Sequence, residues 1–159
     1  AKVRGVAVGV GCNMALGCDL VVASDTARFS QIFSKRGMSL DGGGSWLLPR
    51  RIGLHRAKEM AFFADIIDAG EADRIGLVNR VVPDAQLDAF VAEWTDRLIA
   101  LPPIALAQSK RMLNNSMNVT LEEALDDEGV AQTVNFGTKD TPEAIAAWME
   151  KRNPVFKGR

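Results

Sequence analysis

The sequence has little histidine, little cysteine, no excess of either charge and no long apolar run, and each shortage removes a class of function. His55 is the only histidine, which excludes multi-histidine metal sites and leaves little room for a serine-histidine triad. In Gly53-Leu54-His55-Arg56 it reads as a surface or capping residue at a helix start. The two cysteines, Cys12 and Cys18, are too few for a disulfide framework and fit neither the zinc nor the redox spacing. Both are expected as small buried residues of a reducing, cytoplasmic compartment. Nineteen basic residues stand against twenty acidic ones with no long run of either sign, so neither nucleic acid nor membrane is expected as a partner. No stretch reaches the roughly 18 apolar residues of a membrane span, and no basic-then-apolar signal peptide opens the chain.

What is present is enough apolar sequence, 47% of 159 residues, for one core-bearing domain with a helical appendage. The chain opens on Ala1 rather than methionine and enters a Val-rich stretch almost at once, from which we expect sequence missing upstream.

Val3 to Val8 is β-branched enough for a buried strand, broken by Gly9-Val10-Gly11 and followed by a short helix from Cys12 to Leu16 that Gly17 closes. Asp19 to Ala23 and Ala27 to Phe29 read as further strands. Gly37, Gly42, Gly43 and Gly44 mark a long loop leading into a helical Ser45-Trp46-Leu47-Leu48. A helix is expected from Leu54 to Ala64, and Asp68 with Glu71 forms a capping box for a short helix ending at Gly76, before a last strand from Leu77 to Val82. Beyond Pro83 the pattern is helical throughout: Ala85 to Ala100, Ile104 to Met117, a helix signed by Thr120 and Glu123, and one opening at Thr141-Pro142-Glu143. The expected class is α/β, a layered unit over 1–83 followed by a helical region over 84–159.

Three features bear on chemistry. The join at Gly9 to Gly11 turns a strand into a helix and exposes backbone N–H groups that could donate to a developing oxyanion; equally, it is an ordinary tight turn. It lacks the third glycine and downstream acid of a dinucleotide fingerprint. Asp41, beside Gly42, Gly43 and Gly44, is either an N-cap for the next helix or a general base whose pKa Leu40, Trp46 and Leu47 would raise by shielding it from water. The C-terminal Trp148-Met149-Glu150-Lys151-Arg152, with Phe156 and Lys157, either complements a helix dipole or faces a phosphorylated ligand.

Gly5 to Met14 through Cys18-Asp19-Leu20, Gly43 to Gly53, Ala72 to Val82 and the final Glu150-Lys151-Arg152 with Phe156 together resemble the crotonase (enoyl-CoA hydratase/isomerase) superfamily along essentially the whole chain. That resemblance implies a spiral of ββα turns, here incomplete because its N-terminal part is absent, with a helical C-terminal region that builds homotrimers or hexamers. It also implies an acyl-CoA thioester substrate, with no cofactor beyond the coenzyme A the substrate carries and no metal. By carry-over the Val10 N–H is one oxyanion donor, where the family usually has glycine; the other lies upstream of Ala1. The two glutamates of true hydratases fall on Asn13 and Phe33, which with Gly9, Gly11, Gly42 and Trp46 would line the substrate pocket. Asp41 falls where several isomerases of the superfamily carry a catalytic aspartate, and Trp148 and Lys151 where the coenzyme A nucleotide is approached. The expectation is therefore an enoyl-CoA or dienoyl-CoA isomerase with Asp41 as acid and base. The alternative is a truncated chain that binds or assembles without catalysing.

Overall fold

A valine-rich opening favours extended backbone, yet Arg4-Gly5 divides it into two strands that join different sheets. A computed structural model describes residues 1–159. Strands β1 (Lys2–Val3), β3 (Val22–Ser24) and β6 (Arg80–Val82) form one sheet in the order β1-β3-β6, and both ladders are parallel. Strands β2 (Val6–Val8), β4 (Arg28–Ser30) and β5 (Ile67–Asp68) form the other, with β2 parallel and β5 antiparallel to β4. The single strand expected over Val3 to Val8 is thus two. The same step from one sheet to the other recurs between β3 and β4.

Helix α1 (Val10–Leu16) follows β2 directly, and Gly17 caps it as expected. Helix α2 (Gly44–Phe63) joins the two helices expected from sequence across a kink at Gly53, whose φ of 76° and ψ of 161° are not helical. Helix α3 (Ala69–Arg74) is capped by Asp68, which accepts from the Glu71 N–H at 2.8 Å. The reciprocal half of that box is missing, because the Glu71 carboxylate turns to Arg74. The core gathers Leu16, Val21, Ala23, Phe29, Leu48 and Leu77; burying a side chain of Leu or Phe size contributes about 1.5–3 kcal/mol.

Two compact units divide the chain, Ala1–Glu93 and Trp94–Arg159. The first extends past the expected boundary at Pro83 because Asp84, Leu87 and Asp88 are fastened to it. Arg4 Nε pairs with Asp84 at 2.9 Å and Lys2 Nζ with Asp88 at 2.6 Å, while Leu87 is fully buried. Helix α4 (Leu87–Ile99) crosses the division.

The second unit contains α5 (Pro103–Asn115), α6 (Leu121–Phe136) and α7 (Asp140–Glu150). The capping box read at Thr120 and Glu123 is formed in both directions, with the Thr120 N–H donating to Glu123 at 2.7 Å and the Glu123 N–H to Thr120 Oγ1 at 3.3 Å. Thr141 is not the N-cap expected of it: the helix starts at Asp140, and the Thr141 hydroxyl donates to the Asn135 carbonyl. Asp140 instead accepts from the Lys157 and Gly158 N–H groups at 2.7 and 2.9 Å, fastening the C-terminal segment to the start of α7. No helix is long and apolar enough to cross a membrane.

Candidate active site

The strand-to-helix elbow needs a backbone that most residues avoid, and glycine supplies it. Gly9 takes φ 53° and ψ −124°, donates to the Ser30 carbonyl at 2.8 Å and accepts the first α1 hydrogen bond from Asn13 N–H at 3.1 Å. Val10 is the first residue of α1, so its N–H has no acceptor within the helix and points out at the positive end of the helix dipole. Val10 is 45% exposed, and Gly11 beside it is exposed as well. The Phe33 ring, itself buried, packs on the elbow from below: a Cβ at Gly9 would lie 3.5 Å from its Cζ.

The glycine-rich loop comes to the same place. A Cβ at Gly42 would lie 3.6 Å from Val10 Cγ1 and 3.7 Å from Asn13 Cβ. The Asp41 carbonyl accepts from the Gly44 N–H at 2.9 Å and from Asn13 Nδ2 at 2.8 Å. Val10, Asn13, Phe33 and the Asp41-Gly42 segment are therefore gathered around one elbow within the first unit.

Several expectations are corrected by this geometry. Asp41 does not cap α2, whose N-cap is Gly43 with no side-chain bond; it is the carbonyl of Asp41 that is engaged. Nor do Leu40, Trp46 and Leu47 shield the carboxylate, because Asp41 is exposed. Trp46 is 46% exposed and stacks under the Arg50 guanidinium at 3.9 Å, while Leu47, half-buried, packs against the core. Asn13, expected to line a pocket, is 1% exposed with both ends of its amide occupied. Cys18, expected to be buried, is exposed just past α1, its thiol donating to the Met14 carbonyl; Cys12 is buried as expected.

Gln31 was not singled out from sequence, although an amide flanked by Phe29, Ile32 and Phe33 is a signal that could have found it. It is fully buried and donates from Nε2 to Asn13 Oδ1 at 2.8 Å, with Cys12 Sγ at 3.5 Å. Its Oε1 has no hydrogen-bond partner, and leaving a buried acceptor unmatched costs about 1–3 kcal/mol. Burial among these neighbours pushes the Cys12 thiol up to about 12, so it stays protonated and takes no part in nucleophilic chemistry.

In the second unit Trp148 is 81% exposed and Lys151 ends α7 in the left-handed conformation with φ 53°. They border a shallow surface groove with Met149 and Arg152. One of the three basic residues expected at this edge is already paired: Arg152 makes a two-pronged pair with Glu143 at 2.6 and 3.0 Å and reaches Glu150 at 2.6 Å. That pairing, with the Val155 N–H, holds the Glu143 carboxyl down at about 2.

Comparison with known proteins agrees along the whole length. The family model described as enoyl-CoA hydratase/isomerase matches residues 1–159. The chain is 38% identical over 160 residues to the short-chain-enoyl-CoA hydratase of Clostridium acetobutylicum, a match covering 100% of this chain and 61% of that one. It is 36% identical over 157 residues to the 1,2-epoxyphenylacetyl-CoA isomerase of Escherichia coli K12, covering 99% and 60% respectively. The crystal structure of an enoyl-CoA hydratase from Bacillus anthracis superposes with a TM-score of 0.94 at 34% identity, over 98% of this chain and 60% of that one. The chain spans about three fifths of the length of the curated relatives it matches.

Proposed function

The chain belongs to the enoyl-CoA hydratase/isomerase family, and we propose that within it the protein moves a double bond along an acyl-CoA thioester instead of adding water across one. The observation that supports this reading is the seating of the Asp41-Gly42 backbone beside Val10 and Asn13, a Cβ at Gly42 lying 3.6 Å from Val10 Cγ1. The Val10 N–H would donate to the thioester oxygen as its charge grows. Asp41 would remove a proton from the acyl chain, the electron pair passing into the thioester enolate, and return the same proton to a different carbon. The atoms balance without a second reactant. The ligand laid across the elbow would cover the exposed carboxylate, and water excluded in that way strengthens both interactions. One oxyanion donor of this type is worth about 2.7–4 kcal/mol in the transition state.

Positions 13 and 33, which the resemblance gives to the two glutamates of hydratases, hold an amide and a phenyl ring, neither of which can activate water. A second reading, hydration, is favoured by the name of the Clostridium acetobutylicum relative. In the proposed reading Trp148 and Lys151 would contact the coenzyme A nucleotide, the helical region would assemble the protein as a homotrimer or hexamer, and the enzyme would work in the cytoplasm.

The test is to supply the complete protein with 3-enoyl-CoA and, separately, 2-enoyl-CoA. Isomerisation of the first that falls at least a hundredfold in Asp41→Asn is expected, roughly the lower limit for a general base. Rapid water addition to the second that survives Asp41→Asn would establish hydration instead.

A further inference from the structure

Beneath the elbow lie three polar groups in series whose direction is dictated from one end. The Asp41 carbonyl can only accept, so the Asn13 atom 2.8 Å from it is the Nδ2 donor. That choice turns Asn13 Oδ1 toward Gln31, whose nearest atom, at 2.8 Å, is then Nε2. Gln31 Oε1 is left as an acceptor with no donor. Exchanging oxygen and nitrogen in either amide would set like atoms against each other. Gly44 makes the room this amide occupies, since a Cβ there would lie 2.4 Å from Asn13 Nδ2 and 2.8 Å from its Cγ. Two apolar side chains would fill this space without an unmatched acceptor. What the amides add is a directional hold on a carbonyl 28 residues away.

We propose that Asn13 and Gln31 are positioning residues: a two-amide relay that holds the backbone of Asp41 against α1 and so sets its carboxylate relative to the Val10 N–H. The catalytic meaning rests on the acid and base role given to Asp41 above; the hold itself does not. Neither amide touches substrate, since both side chains are buried. An acid introduced at position 13 would turn lone pairs on the Asp41 carbonyl, so it would release the loop instead of adding a second general base. The relay thereby restricts the elbow to chemistry run by Asp41 alone. Across α1, residues 30–33 and residues 41–44, the ionisable side chains are Cys12 and Asp41, and α2 adds Arg51, which donates to the Leu16 carbonyl of α1 at 3.3 Å.

The test compares Asn13→Asp and Asn13→Leu with the unaltered complete protein by hydrogen exchange. The reporters are the Gly44, Trp46 and Leu47 amides, which bond to the Asp41 and Gly43 carbonyls. Both variants are expected to exchange there roughly tenfold faster at pH 8, the ratio that loss of about one hydrogen bond produces. At pH 5 Asn13→Asp is expected to recover protection, because a protonated carboxyl can donate to the Asp41 carbonyl again, while Asn13→Leu stays fast. Unchanged protection in both variants, or an Asn13→Asp response that ignores pH, overturns the relay. Should Asn13→Asp lose its cooperative melt, Gln31→Met serves in its place: it leaves Asn13 in position but unaligned, and exchange no faster than in the unaltered protein overturns the relay equally. With 3-enoyl-CoA as substrate, kcat should fall about tenfold with KM within roughly twofold, the pattern of lost orientation. If the unaltered protein does not isomerise while the exchange result holds, the catalytic reading fails and the hold stands. Fast turnover with no exchange change is the reverse.

Discussion

Gly44→Ala is expected to destabilise the first unit although it replaces glycine by the best helix former. In an open helix the change is worth about 0.8–1 kcal/mol of stabilisation. Here the new Cβ would lie 2.4 Å from Asn13 Nδ2 and 2.8 Å from Oδ1, where ordinary contact begins near 3.4 Å. Either the amide stays and the overlap costs about 1–3 kcal/mol, or it swings away and leaves buried polar groups unmatched at about 1–3 kcal/mol each. The cheaper route less part of the helix gain leaves a net cost of about 0.5–2.5 kcal/mol. Each kcal/mol shifts the midpoint of a 60–100-residue domain by roughly 4–8 °C. Gly129→Ala, inside α6 with no atom within 4 Å of its would-be Cβ, is the control and is expected to stabilise by about 0.5–1 kcal/mol. Thermal melts of the two variants should move in opposite directions. With Asn13→Ala as background, the Gly44→Ala penalty should shrink by about 1 kcal/mol or more in a double-mutant cycle. A Gly44→Ala protein as stable as its parent, or a penalty indifferent to the side chain at position 13, refutes the picture of a pinned amide.

Three further outcomes are expected. A thiol reagent at pH 8 should label Cys18 alone, since the exposed thiol is accessible while Cys12 is buried and pushed up to about 12; mass spectrometry showing labelled Cys12 without denaturant would contradict this. The Glu143 carboxyl is depressed in the folded state from its ordinary 4.5 to about 2, so its contribution is present above about pH 4.5 and is lost as pH falls toward 2. Melting of the second unit should therefore weaken across that window, and Glu143→Gln should flatten the dependence. Thr120→Ala removes both the side-chain bond to the Glu123 N–H and that to its carboxylate and should lower the stability of α6 by about 1 kcal/mol, measurable by urea denaturation.

Much of this architecture was legible because it is locally written. The elbow at Gly9, the caps at Gly17, Asp68 and Thr120, and the helical second half each depend on residues within about four positions of one another, where propensity and capping chemistry act. Misreadings arose where distant partners decide. Nothing near Val3 to Val8 says that its two halves pair in separate sheets, Val3 with Ala23 and Val6 with Arg28. Thr141 carries the right chemistry for a cap, but the Asn135 carbonyl competes successfully for its hydroxyl. The family resemblance placed Val10, Asn13, Phe33 and Asp41 in one neighbourhood, and it did not foresee that Asn13 would be consumed in holding the loop or that Gln31 would stand behind it. Such a chain spans separations of 18 and 28 residues and leaves no periodic trace.

The paired corners at Arg4-Gly5 and at Asp25 to Ala27 set where this protein can tolerate a change of length. The Arg28 N–H donates to the Gly5 carbonyl at 2.8 Å, so one corner is laddered to the next, and adding a single residue at either would invert the facing of every side chain in the strand beyond it. The stretch from Gly37 to Leu40, between the 3-10 turn at Ser34–Arg36 and the held Asp41 carbonyl, carries no such ladder. Lengthening should therefore be absorbed there, ahead of the Asn13 clasp, and rejected at the corners.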